Sequence, residues 1–104
     1  MENKTKAQTF VGFAIRARKC KIGVNAVGTL KRANLVIVCH TASDNTKAEA
    51  DKLARKFNCP IIETVSAPLE DITHKENAKV MAIADKSLAK AVLSNLDKDF
   101  IARN

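Results

Sequence analysis

Tryptophan and tyrosine are absent from this 104-residue chain, and phenylalanine occurs four times. Proteins that bind single-stranded nucleic acid rely on exposed aromatic rings as stacking platforms. An inventory of Phe10, Phe13, Phe57 and Phe100, three of them at positions suited to burial, argues against that mode. Cysteine is scarce and odd in number. Cys20, Cys39 and Cys59 lie far apart, with no Cys-x-x-Cys pair and no His-x-x-x-His, so neither a disulfide framework nor a zinc site is supported. They are expected to be reduced, largely buried thiols. The longest purely aliphatic run, Leu35-Val36-Ile37-Val38, is far short of the roughly 20 residues of a membrane helix. The start, Met1-Glu2-Asn3-Lys4, lacks the apolar stretch of a secretory signal. A cytoplasmic protein without membrane contact is the expectation. Dinucleotide and P-loop glycine motifs are missing, as are carboxylate clusters of metal-site spacing. No cofactor, no metal and no small-molecule substrate is therefore expected.

The most consequential absence is of acid. From Asn3 to Ser43 there are eight Lys or Arg and no Asp or Glu, whereas from Asp44 to Asn104 ten bases face ten acids. The basic stretch and Glu2 thus account for the whole net charge of +7. A basic excess confined to one end of a small chain suits a polyanion, because each phosphate neutralised by Lys or Arg releases condensed counterions. With aromatics scarce, shape and backbone recognition of folded RNA fits better than single-strand binding.

The apolar content, 46% of residues, suffices for one core and one domain. Phe10, Val11, Ala14 and Ile15 recur at helical spacing, predicting an amphipathic helix from Lys4 to about Ala17. A basic connection, Arg18 to Ile22, leads to Gly23, which opens a second helix from Val24 to about Arg32. Leu35 to Cys39 reads as a strand covered on both faces. Ser43 is a good N-cap for a helix from Asp44 to about Phe57, ended by Asn58 and Pro60. Ile61 to Val65 and Ala78 to Ala84 are further strands, separated by a helical turn after Pro68 that carries Leu69 and Ile72. Asp85 caps a final helix burying Leu88, Ala91, Val92 and Leu96, and residues from about 97 to 104 form a fraying tail. Helices alternating with short apolar strands predict a single α/β domain over residues 1–104, a three-layer α/β/α sandwich with a small mixed sheet.

Two candidate sites emerge. In the first, Arg16, Arg18, Lys19, Lys21, Lys31 and Arg32 flank the start of the second helix, where the N–H groups after Gly23, around Val24 and Asn25, can hold a phosphate. The second is the end of the Leu35 strand, where Cys39, His40, Ser43 and Asp44 cluster in sequence. Consecutive strand residues point to opposite faces, so Cys39 and His40 do not form a thiol–base pair. Ser43 and Asp44 are explained by capping and by the helix dipole. His74 reads as a polar loop residue. The chain is expected not to be an enzyme.

Five strings in order carry a resemblance that spans nearly the whole chain: Gly12-Phe13-Ala14-Ile15-Arg16-Ala17-Arg18-Lys19-Cys20, Leu35-Val36-Ile37-Val38, Ala42-Ser43-Asp44-Asn45-Thr46-Lys47, Lys75-Glu76-Asn77-Ala78-Lys79-Val80 and Leu88-Ala89-Lys90-Ala91. They resemble the bacterial YlxQ-like branch of the ribosomal protein L-seven-Ae and L-thirty-e family. That resemblance implies an α/β/α sandwich of the ribosomal L-thirty-e type. It also implies non-catalytic binding of structured RNA, a kink-turn or related internal loop, with ribosomal RNA as the partner. Of the family's signature at the second helix, Gly23 and Asn25 match, while Ala26 and Thr29 stand at its Glu and Lys positions. In its second contact loop Leu69 matches, and Glu70 and Asp71 bring two acids. The alternative reading is a protein-interaction module of the same fold, its basic face docking ribosomal or other acidic proteins.

Overall fold

The computed structural model describes residues 5–65, 67–96 and 99–103. The chain runs α1 (Lys6–Arg16), β1 (Cys20–Ile22), α2 (Val24–Gly28), β2 (Leu35–Val38), α3 (Asp44–Phe57), β3 (Ile61–Thr64), α4 (Leu69–Thr73), β4 (Val80–Ile83), α5 (Lys86–Ser94) and β5 (Phe100–Ala102). The strands form one mixed sheet in the order β1-β4-β2-β3-β5, in which only β2 and β3 are parallel.

Strand alternation divides the core in two. Leu35, Ile37, Cys39, Ile62, Met81 and Ile83 face α1, α4 and α5, where Val11, Ala14, Leu69 and Val92 meet them. Val36, Val38, Ile61, Val80 and Ala82 face α2 and α3 and pack on Val27, Ala50 and Ala54. Every residue of β2 and β4 is buried because helices cover both faces, as the unbroken aliphatic run required. This is the expected three-layer sandwich.

Local signals set the helix ends. Thr5 caps α1 by accepting from the Gln8 amide, Ser43 caps α3 from the Thr46 amide, and Asp85 caps α5 from the Leu88 amide. Each cap contributes about 1 kcal/mol. Asn58, with φ 53° and ψ 49°, ends α3 in left-handed backbone.

Four sequence expectations need correction. The supposed basic connection contains strand β1, whose three residues pair antiparallel with β4. The second helix stops at Gly28 rather than near Arg32. Helix α5 centres its buried face on Ala89 and Val92, leaving Leu88, Ala91 and Leu96 partly exposed. The tail does not fray throughout: Phe100 to Ala102 form β5 against β3, and Phe100 is 1% exposed. Residues 97, 98 and 104 of that tail lie outside the described residues, as does Lys4 of the first helix. No helix among the described residues is long and apolar enough to cross a membrane.

Candidate nucleic-acid interface

Helix α1 delivers the first bases. Its last turn closes with the Arg18 amide donating to the Ile15 carbonyl at 3.2 Å and the Lys19 amide to the Ala14 carbonyl at 2.9 Å. This is the Schellman arrangement, with Arg18 at the left-handed position that glycine usually takes, φ 59°. The reversal throws Arg16, Arg18 and Lys19 into solvent at one end of the sheet. There the Ala84 amide donates to the Lys19 carbonyl and the Asn34 amide to the Ile83 carbonyl, 2.8 Å each. Lys31 and Arg32, both exposed, reach the same end two residues before Asn34. Five bases therefore share the end of the sheet where β1 and β2 begin and β4 finishes. Lys21, exposed at the middle of β1, extends the charge along the sheet's edge.

Gly23 and Asn25 lie elsewhere. The Gly23 amide donates to the Val80 carbonyl at 2.7 Å, at the start of β4 and hence at the opposite end of the sheet. Four residue steps along the strand separate Lys19 from Gly23, about 13 Å. The expectation that all six bases flank the start of α2 is corrected accordingly: chain neighbours are divided by the length of β1, and only Lys21 stays near Gly23. Gly23 itself has φ 101° and ψ 144°, backbone that side-chain-bearing residues rarely adopt, so the turn from strand to helix already requires it. Asn25 is exposed in the first turn of a helix of five residues.

The six bases are electrostatically uncompensated. The ion pairs among the described residues are made by Lys47, Lys79 and Arg103, and none of the six joins them. Three of the downstream acids, Asp51, Glu63 and Glu70, are occupied by their own partners. Arg103 binds Asp51 through Nε and Nη2 at 2.9 and 3.1 Å and Glu63 through Nη1 at 2.7 Å, and Lys47 adds to Glu63 at 3.4 Å.

Sequence reasoning read Phe13 only as one member of a small aromatic inventory. It is 43% exposed, with the Arg16 guanidinium 5.1 Å from its ring centroid. The available signal was its helical position, two residues beyond Val11 and therefore on the face away from the core.

At the carboxyl end of β2 the polar side chains form a closed latch. Lys79 Nζ donates to Glu70 Oε2 at 2.7 Å and to Thr41 Oγ1 at 2.8 Å. Cys39 Sγ accepts from the Leu69 amide at 3.2 Å, meets Thr41 Oγ1 at 3.0 Å and lies 3.7 Å from Glu70 Oε1. The Lys79 ammonium holds the Glu70 carboxyl below its ordinary range, and the carboxylate in turn raises the lysine. His40 turns to a different partner, Thr64, whose hydroxyl accepts its amide at 2.9 Å and meets Nδ1 at 2.8 Å. Cys39 is fully buried and engaged, and His40 is not its base. Burial pushes the Cys20 and Cys59 thiols up, although both are only half-buried rather than largely so. His74 is exposed at the left-handed end of α4. Among the described residues no group of His, Cys, Asp and Glu could hold a metal ion.

Neither a protein-family model nor a curated protein matches the chain. Among solved structures, a protein with unknown function from Bacillus halodurans C is similar, with a TM-score of 0.71, 21% sequence identity, and coverage of 88% of this chain and 96% of that one. At such identity the likeness concerns the fold alone.

Proposed function

We propose that this protein is a non-catalytic binder of structured RNA, of the YlxQ-like ribosomal kind and acting in the cytoplasm. One observation carries the reading: Arg16, Arg18, Lys19, Lys21, Lys31 and Arg32 are all exposed, and none has an acidic partner among the described residues. A protein built only for solubility has no need to keep such charges apart from its ten downstream acids. Phosphate contacts position an RNA, and long basic side chains on a sheet end and edge suit the spacing of a folded backbone. Gly23 and Asn25, at the other end of the same edge, are the residues that would meet a second segment of the RNA. The latch removes one objection to RNA approaching α4, because the Glu70 carboxylate is neutralised by Lys79.

The test is ultraviolet crosslinking in the protein's own cells under mild salt, followed by sequencing of the RNA that co-purifies. One structured RNA segment, crosslinked within residues 16–32, is the expected result. The Lys19→Glu, Lys21→Glu double variant should lose that RNA while melting at an unchanged temperature. Recovery of an acidic protein in place of RNA would instead identify an interaction module.

A further inference from the structure

Phe13 is the one phenylalanine with much of its surface in water. Phe100 is 1% exposed, and Phe10 and Phe57 pack on the two cores. The helix dictates the difference. Val11 and Ala14 point at the sheet, and Phe13 lies about 200° around from Val11. Phe10 holds the Phe13 ring from one edge, with centroids 5.9 Å apart and an interplanar angle of 76°. Arg16, one turn on, sits over the ring, and among the described residues its guanidinium joins none of the ion pairs. The other cation over an aromatic ring is employed differently. Lys56 lies 5.3 Å from the Phe57 centroid, but it donates to the Gly28 carbonyl, and Phe57 packs on the α2–α3 core.

We propose that Phe13 and Arg16 form a stacking platform for one unpaired base, extruded from a bulge or loop of the RNA. The inference rests on the RNA-binding reading and deepens it. A ring steadied by a neighbouring ring, and a planar guanidinium outside the ion pairs of the described residues, are two adjacent surfaces on which a base can stack. Arg18 and Lys19 follow immediately, so phosphates on either side of an extruded nucleotide would meet charge. Every base has a π-face, so the platform selects an unpaired base over a paired one without selecting its identity. The substrate class is therefore a folded RNA with at least one nucleotide outside its helices.

Two synthetic RNAs test this: a hairpin with a single bulged adenosine, and an uninterrupted hairpin of the same length and charge. The wild-type protein should prefer the bulged hairpin. Phe13→Leu keeps an apolar helix former at an exposed position and removes the π-face. It should weaken bulged-hairpin binding by about 5- to 150-fold and leave uninterrupted-hairpin binding unchanged. Phe13→Trp would be the chain's sole tryptophan; it should retain the preference, with fluorescence quenched by the bulged hairpin. An undiminished preference in Phe13→Leu, or salt-dependent binding of both RNAs without preference in the wild type, would overturn the platform and leave the electrostatic reading standing. Failure of the wild type to bind either RNA would overturn both.

Discussion

An arginine held at φ 59° carries a backbone cost of roughly 1 kcal/mol that glycine at the same place would not. The hydrogen bonds that end α1 run from the Arg18 and Lys19 amides, so the side chain of Arg18 contributes nothing to the turn it occupies. Asn58 fills the equivalent position after α3, where the short polar side chain tolerates left-handed backbone. The contrast separates the two interests of the site. Arg18→Gly should raise the stability of the free protein by about 1 kcal/mol, seen as a melting temperature higher by roughly 4 °C, and should weaken RNA binding. Gly23 shows the opposite relation. Its backbone angles require glycine whether or not RNA is bound, so glycine at this position is accounted for by the turn alone. Single residues were therefore legible in sequence as types, and their reasons were not. A left-handed arginine and a solvent-facing phenylalanine follow from how α1 ends and which way it rolls, and these depend on packing against α5 and the sheet.

Among the elements, α3 could be read from the chain almost to the residue, because Ser43 and Asn58 mark its ends and the charges of its first and last turns suit the helix dipole. Strands β1 and β5 could not. Each has three residues, too few to show alternation, and each exists only because a distant strand offers it an edge. The energetic weight of β5 is out of proportion to its length. Phe100 is fully buried in the α1–α5 core, and Phe100→Ala should cost about 3–5 kcal/mol, measurable as a lowered urea midpoint. The latch between α4 and β4 makes a different prediction. With the Glu70 carboxyl lowered in the fold, its contribution is present above the ordinary carboxylate range and is lost as pH falls through its lowered value. The raised Lys79 contributes below the ordinary lysine range and loses its effect as pH rises beyond it. Glu70→Gln should therefore lower the urea midpoint at pH 7 and leave it close to wild type near pH 2.

Across the whole molecule, the charge separation visible in the sequence survives folding: Asp51, Glu63 and Glu70 pair with Lys47, Lys79 and Arg103, and among the described residues no ion pair joins an acid to the six exposed bases. Neutralising about four phosphates would give a log–log dependence of affinity on salt with a slope of roughly −3 to −4, checked by titrating one RNA between 50 and 200 mM salt. The sandwich itself was legible, since aliphatic runs between capped helices leave few alternatives. The layout of the interface was not: Lys31 and Arg32 precede β2 and join Lys19 at one end, whereas Gly23, nearer in sequence to Lys21, lies at the other. That division is a product of sheet order, which no local pattern encodes.

The position of β1 at the rim of that sheet has one more consequence. A rim strand leaves a row of amides and carbonyls that a strand from another copy can zip onto, the first step of aggregation. Lys21, exposed at the middle of β1 and paired with Ala82 on the α2 side of the sheet, stands an ammonium beside that row, and every copy carries the same charge, so a copy adding there in register brings like charges together. The side chain offered to phosphate thus also keeps copies apart in a crowded solution, and the chain cannot lose one property by mutation at that position without risking the other.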